Sequence, residues 1–293
     1  MEQTGEDPSL LLALRQQLRA RDFWTRQQLE EHQLCALEAL RTYAYTHSPF
    51  YQRFHQGLTD RPLHELPVLT KAVVMESFDD LVTDRTIRRR DVETMGLRSR
   101  FLQRYLTLST SGSTGRRGVF LFNDGDWHVL LASYLRAMED WTNLAHDGEY
   151  PIRTAAVSSS TPWHPSASVN ASLHSRFFPM LGIDATTLID TMVEQLNSWQ
   201  PELFIGYPSS LYALAQEQLA GRLQIAPRAI IASSEVVVEH QRRRMQAAWG
   251  NEIFTMYGTT EGGCVAMECD QHAGLHLFED LLIVEVVDQD KRQ

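Results

Sequence analysis

Between residues 153 and 256 short apolar runs alternate with helical periodicities, and this alternation narrows the fold more than any other feature of the chain. Residues 153–158, 186–189, 202–205, 229–232 and 252–256 read as strands. Residues 191–199, 209–220 and 239–249 read as helices, the middle one turning Leu211, Leu214, Ala215 and Leu219 inward. Parallel neighbours need a long crossover, which a helix supplies, so the alternation predicts a mostly parallel α/β sheet flanked by helices. Ligands of such sheets gather where strands end and loops begin. After residue 263 the pattern changes: 264–268, 275–278 and 281–287 are strand-like with no helix between them, which predicts a mixed or antiparallel edge.

The first ~45 residues carry leucines at helical spacing, Leu10, Leu11, Leu14 and Leu18, then Leu29, Leu34, Leu37 and Leu40. Pro49, Gly57, Pro62 and Pro67 break the next stretch into turns. Thr70 before Lys71 reads as a capped helix start, residues 119–122 as a strand, and Asp124 or Asp126 as the cap of a helix running through Trp127, Leu131, Leu135 and Met138.

Composition limits the partners. The chain is 43% apolar and 22% charged, which is globular, and its net charge of −10 excludes a general nucleic-acid binder. The arginines of 85–104 are interrupted by Asp91, Glu93 and apolar residues, as on a solvated helix face. Three cysteines make no disulfide framework, no run reaches the ~18 apolar residues of a membrane span, and the first residues are acidic. The expectation is a cytoplasmic chain with no nucleic-acid or membrane partner.

Two runs carry chemistry. Thr107-Leu-Ser-Thr-Ser-Gly-Ser-Thr-Gly-Arg-Arg-Gly118 interleaves hydroxyls with glycines that allow positive φ and close backbone approach, so several N–H groups can converge on one anion. It lacks the Gly-Lys-Ser/Thr ending of a Walker loop, which weighs against a Walker-type kinase or ATPase. Met256-Tyr-Gly-Thr-Thr-Glu-Gly-Gly263 follows a predicted strand with an aromatic for a base, hydroxyls for phosphate and a carboxylate for Mg²⁺. Taken singly, the first also fits a flexible polar linker and the second an ordinary turn.

Together, Thr110-Ser-Gly-Ser-Thr-Gly115 and Tyr257-Gly-Thr-Thr-Glu261 resemble the adenylate-forming superfamily of acyl-CoA synthetases and adenylation domains, and within it the phenylacetate–CoA ligase family. Ser48-Pro-Phe-Tyr-Gln-Arg53, Leu66-Pro-Val-Leu-Thr-Lys71, Gly206-Tyr-Pro-Ser-Ser-Leu211 and His276-Leu-Phe-Glu-Asp280 resemble further elements of that family. The resemblance implies the large N-terminal domain of such an enzyme. A helical segment over 1–100 would pack on an α/β core over 101–293, with the C-terminal small domain absent. It also implies ATP-dependent activation of a small carboxylic acid, aromatic or similar, to an acyl-adenylate. Transfer to a thiol of coenzyme A or of a carrier protein's phosphopantetheine would follow.

By the same resemblance, the phosphate loop comprises Ser111, Gly112, Ser113, Thr114, Gly115 and Arg117. Tyr257, Gly258 and Thr259, with Ser234 and Glu235, bind the adenylate. Thr260 bonds the α-phosphate and Glu261 holds Mg²⁺. Trp163, Gly206, Tyr207 and Pro208 line the acid pocket, and His164 faces the carboxylate. Where relatives carry Pro-Lys-Gly after Gly115, this chain has Arg116-Arg117-Gly118, and arginine still pairs with phosphate. The run Cys264-x4-Cys269-x2-His272-x3-His276 allows zinc, with Cys269 and His276 the better ligands, against the ordinary reading of core cysteine and surface histidine. The family's ribose-binding aspartate, hinge and mobile lysine-bearing domain have no counterpart here. That motivates an alternative: a non-catalytic or partner-dependent nucleotide- or acyl-binding module.

Overall fold

The computed structural model describes residues 8–95, 101–110, 112, 117–144, 151–175 and 178–287. Helices α1 (Pro8–Arg21), α2 (Arg26–His47), α3 (Pro49–Phe54), α4 (Lys71–Glu76), α5 (Phe78–Leu81) and α6 (Arg89–Met95) precede β1 (Tyr105–Ser109) and β2 (Val119–Asn123). Then come α7 (Asp124–Leu135), β3 (Thr154–Ser158), α8 (Pro165–Leu173), β4 (Met180–Asp184), α9 (Ile189–Trp199), β5 (Leu203–Gly206) and α10 (Pro208–Leu219). β6 (Ala229–Ser233), α11 (Glu239–Trp249), β7 (Ile253–Thr259), β8 (Gly263–Glu268) and β9 (Leu275–Leu277) complete the order. These elements form two compact units, one of α1 with residues 122–278, the other of residues 23–121 with the stretch after 278. No helix among the described residues is long and apolar enough to cross a membrane.

The first unit is built on a seven-stranded sheet in the order β4-β3-β5-β6-β7-β8-β9. The five strands from β4 to β7 run parallel, and β8 and β9 add antiparallel pairings. Alternation explains its burial. Ala155, Val157, Phe204, Ile230, Ala232 and Ile253 share one core with Met192, Val193 and Leu196 of α9, Leu211, Leu214 and Ala215 of α10, and Met245 of α11. Their neighbours Ala156, Leu203, Ile231 and Phe254 are buried too, so both faces of the sheet are covered, as parallel sheets require. α8 contacts β3 and β4, and α7 contacts β8.

Three expectations are corrected. Residues 186–189 are not a strand: Asp184 accepts the Thr186 N–H and hydroxyl, which folds a turn, and Ile189 already opens α9. Residues 282–287 form no regular structure despite their apolar run. The cap of α7 is Asn123, whose side chain accepts the Asp126 N–H at 2.9 Å, rather than Asp124 or Asp126.

After Leu135 the helix loosens into a π-helical turn over Arg136–Asp140, and buried charge is concentrated there. The Arg15 guanidinium grips Asp140 through two bonds of 2.9 and 2.5 Å and lies 3.1 Å from Glu139. Arg136, only 1% exposed, donates to Leu18 O at 2.9 Å and pairs with Asp22 at 3.2 Å, its guanidinium over the Phe278 ring. α1 is thereby fastened to the end of α7 by paired charges that could not stay buried alone.

In the second unit, Met75, Phe78, Ile87, Val92, Phe101 and Val119 form a small core beneath β1 and β2. Thr70 caps α4 through the Val73 N–H, as its sequence predicts. α2 begins with a capping box of Thr25 and Gln28, and its Arg26, His32 and Gln33 hold Glu279 and Asp280.

Replacing Arg15 by Met removes the two-bond partner of Asp140 and the cation 3.1 Å from Glu139, side chains 5% and 3% exposed, and leaves Arg19 3.6 Å from Asp140. Urea denaturation is expected to show a loss of about 3–5 kcal/mol, whereas Arg26→Met, at an exposed pair, leaves the midpoint within error. Burial pushes the Cys264 thiol up to about 12. Iodoacetamide at pH 8 should therefore label Cys35 in the native protein and Cys264 only after denaturation, which peptide mass mapping reads directly.

Candidate functional site

Because β3, β4, β5, β6 and β7 run parallel, the turns that follow them collect at one edge of the sheet in the first unit. Pairing of Gly206 with Ala232 and of Ser233 with Met256 sets Tyr207 and the run Ser233–Ser234–Glu235 level with Tyr257 along that edge. The sequence-predicted residues Gly206, Tyr207, Pro208, Ser234, Glu235 and Tyr257 are thus brought to one rim. Gly206 is there for space: a Cβ would lie 3.1 Å from the Leu211 side chain and 3.3 Å from Val157 O. Ser234 takes a left-handed φ of 71°, a conformation that costs a residue with a Cβ roughly 1 kcal/mol or more.

Side chains stitch these turns together. Glu235 accepts the Ser209 N–H and the Ser209 hydroxyl, each at 3.0 Å, so its carboxylate caps the first turn of α10. The Tyr207 hydroxyl accepts the Ser159 N–H at 3.0 Å. Asp184 accepts the Ser160 N–H at 2.9 Å together with the Ser160 hydroxyl. Four donors, the Ser160 hydroxyl foremost, hold the Asp184 carboxyl well below the usual carboxylate range. Sequence reasoning gave Asp184 no role; its signal was the Asp-x-Thr spacing of a turn. Trp163 and His164 lie in the loop between β3 and α8, where His164 is the half-buried N-cap residue and donates its N–H to Thr161 O.

β7 and β8 form a hairpin whose tip is Thr260-Glu261-Gly262. Its narrowness depends on glycine. A Cβ on Gly258 would meet Gly263 O at 3.0 Å, and a Cβ on Gly263, at φ 69°, would meet the Leu130 side chain at 2.9 Å. Thr259 Oγ1 accepts the Gly262 N–H and closes the turn. Tyr257 is 55% exposed. Glu261 is exposed and, among the described residues, without a hydrogen-bond or ion-pair partner, so its carboxylate is open to an external cation.

The glycine loop belongs to the second unit. Thr110 shuts its base twice, donating its N–H to Gly118 O at 3.0 Å and accepting the Gly118 N–H on its hydroxyl at 2.8 Å. Gly112 has φ 74°, as its place in the motif predicts, and a Cβ built on it would lie 3.5 Å from the Arg117 backbone. Ser111, Ser113, Thr114, Gly115 and Arg116 lie outside the described residues. Lys71 was given no chemical role from sequence, yet its Cδ comes within 3.2 Å of a Cβ built on Gly118, which places its stem against the base of the loop. A compositional signal was present: 25 of the 27 basic residues are arginine, and Lys71 is one of two lysines.

Among the described residues no group of three metal-ligating side chains occurs. Of the pair read as possible zinc ligands, His276 Nε2 lies 3.1 Å from Cys269 Sγ, while Cys264 is buried.

No family model and no curated protein matches the chain. Solved structures do. A 2-hydroxyisobutyryl-CoA ligase in complex with 2-HIB-AMP and CoA, in its thioesterification state, aligns with TM-score 0.72 and 18% identity over 92% of this chain and 58% of that one. An open conformation of such a ligase, in complex with the same molecules, gives 0.69 and 18% over 89% and 57%. A postadenylation state in complex with 2-HIB-AMP gives 0.69 and 19% over 89% and 56%. The chain spans a little over half the length of these ligases. Over that stretch the chain carries the same fold as these acyl-CoA ligases.

Proposed function

We propose that this chain performs the carboxylate-activating half of an ATP-dependent acid–thiol ligase of phenylacetate–CoA ligase type, acting on an aromatic or similar small acid. The observation that supports it most is the β7–β8 hairpin. An exposed Tyr257 and a Glu261 with no partner among the described residues stand at the carboxyl edge of the parallel sheet, beside turns that carry Tyr207 and Ser234.

In this reading a carboxylate oxygen attacks the α-phosphorus of ATP, the bond to the β-phosphate bridging oxygen breaks, and pyrophosphate leaves. Tyr257 packs on the adenine, Gly258 and Thr259 shape the strand end beneath it, and Thr260 donates its hydroxyl to the α-phosphate. Glu261 fits magnesium, which takes one or two carboxylates and completes its shell with phosphate oxygens and water. When bound, that ion offsets the negative charge of the phosphates. Ser111, Gly112, Ser113, Thr114, Gly115 and Arg117 supply N–H, hydroxyl and guanidinium donors to the leaving pyrophosphate, and Lys71 adds a compact charge at the base of that loop. Gly206, Tyr207, Pro208 and Trp163 wall the acid, with His164 beside its carboxylate. A thiol of coenzyme A, or of a carrier protein's phosphopantetheine, then attacks the acyl carbon and displaces AMP, its proton passing to solvent. These steps rest on positioning and charge placement.

The protein should catalyse acid-dependent exchange of labelled pyrophosphate into ATP across a panel of aryl and short-chain acids. Glu261→Gln and Thr260→Ala are each expected to lower that exchange by about 10²–10³-fold. Lys71→Met should weaken it with unchanged folding. Binding of ATP with no exchange for any acid would leave a nucleotide-binding module in place of a ligase.

A further inference from the structure

The turn between β3 and α8 is held from both sides by the strands that flank β3. On one side is β4, whose last residue Asp184 accepts the Ser160 N–H at 2.9 Å and the Ser160 hydroxyl on one carboxylate oxygen. Its other oxygen accepts the Thr186 N–H and hydroxyl, at 2.8 and 2.5 Å, so the carboxylate is itself fixed in place. On the other side is β5, after which the Tyr207 hydroxyl accepts the adjacent Ser159 N–H at 3.0 Å. Backbone bonds repeat the pattern: Ala185 N–H to Ser158 O at 2.9 Å, and Tyr207 N–H to Val157 O at 3.3 Å. Within the loop, Ser159 Oγ accepts the Thr161 N–H, Ser159 O accepts the Ser166 hydroxyl, and Thr161 O accepts the His164 N–H. Ser159 is thus bonded through Thr161 to His164, the residue that follows Trp163.

We propose that Asp184 and Tyr207 are positioning residues that clamp loop 159–164 from opposite sides. Asp184, at the sheet's edge strand, thereby acts on acid recognition through the loop without touching the substrate. Its two bonds to Ser160 are charge-assisted, and those to Thr186 stop the carboxylate from turning away. Glu235 does the same for the turn after β6, tying it to Ser209. Four neighbouring turns, after β4, β3, β5 and β6, thus move as a single rim. The consequence for acid binding rests on the ligase reading above; the clamp itself does not.

Hydrogen exchange tests the clamp, and kinetics test its consequence for the acid. Tyr207→Phe keeps the ring and removes the acceptor, while Asp184→Ala removes the carboxylate. Native melting curves confirm that each variant folds, and Asp184→Asn, which retains one acceptor oxygen, should recover some of the Asp184→Ala effect. A working clamp makes each substitution speed exchange at both the Ser159 and Ser160 amides by about tenfold or more, with β5 and β6 amides unchanged. Faster exchange only at the amide that lost its own partner, or at neither, overturns the clamp. In pyrophosphate exchange the acid concentration for half-maximal rate should rise about tenfold while that for ATP stays within twofold. Equal shifts for acid and ATP, or none, overturn the role in acid recognition. If no acid supports exchange by the unaltered protein, the ligase reading fails and takes the acid-recognition role with it, while the amide data still decide the clamp.

Discussion

Five parallel strands impose one condition on everything else in the first unit. Each face of the sheet is sealed by apolar side chains, Ala155, Val157, Phe204 and Ile230 on one and Ala156, Leu203 and Ile231 on the other. Polar chemistry has nowhere to go but the ends of the strands, and the parallel sense sends every strand out at the same end. The residues at the carboxyl ends of β3, β4, β5, β6 and β7 are correspondingly small, hydroxylated or acidic: Ser159, Asp184, Tyr207, Ser234 and Thr260. Irregular backbone at such an edge must find hydrogen bonds of its own, and here side chains from neighbouring turns supply them.

Much of this was legible in sequence. The strands at 202–205, 229–232 and 252–256 and the two helices between them emerge close to their observed limits, because β-branched and apolar runs coincide with helical periodicity between them. β4 was placed too late. Met180-Leu-Gly-Ile-Asp184 carries a glycine and an acid that weaken its strand character, whereas the β-branched residues just after it look more like a strand. Pairing with β3 outweighs that local preference, and Asp184 turns the next residues by bonding Thr186. The switch to a wider turn over Arg136–Asp140 was also invisible, since it accompanies ion pairs with Arg15 and Asp22, more than a hundred residues away.

The glycines show how sequence and packing constrain each other at the hairpin. Gly258 and Gly263 stand in a run that singly also fits an ordinary turn, yet the geometry gives each a steric reason. Without a Cβ at either position β7 and β8 close up beyond the register shift at Tyr257 and Gly258, and Thr260 and Glu261 are left at a three-residue tip. In the glycine loop the equivalent fastening comes from Thr110, whose N–H and hydroxyl both engage Gly118.

Resemblance treats the residues of a motif alike, but their partners divide them. Glu235 and Tyr207 belong to motifs read as ligand-binding, and the groups they would offer are already engaged, with Ser209 and with Ser159. Tyr257 presents an exposed ring, and Glu261 an exposed carboxylate with no partner among the described residues. A carboxylate that already accepts two bonds at a helix start gains less from a cation than one facing water, because the first must give up its donors. The same sequence neighbourhood therefore holds two kinds of acidic residue: Asp184 and Glu235 fix the rim, and Glu261 is open to whatever the rim positions.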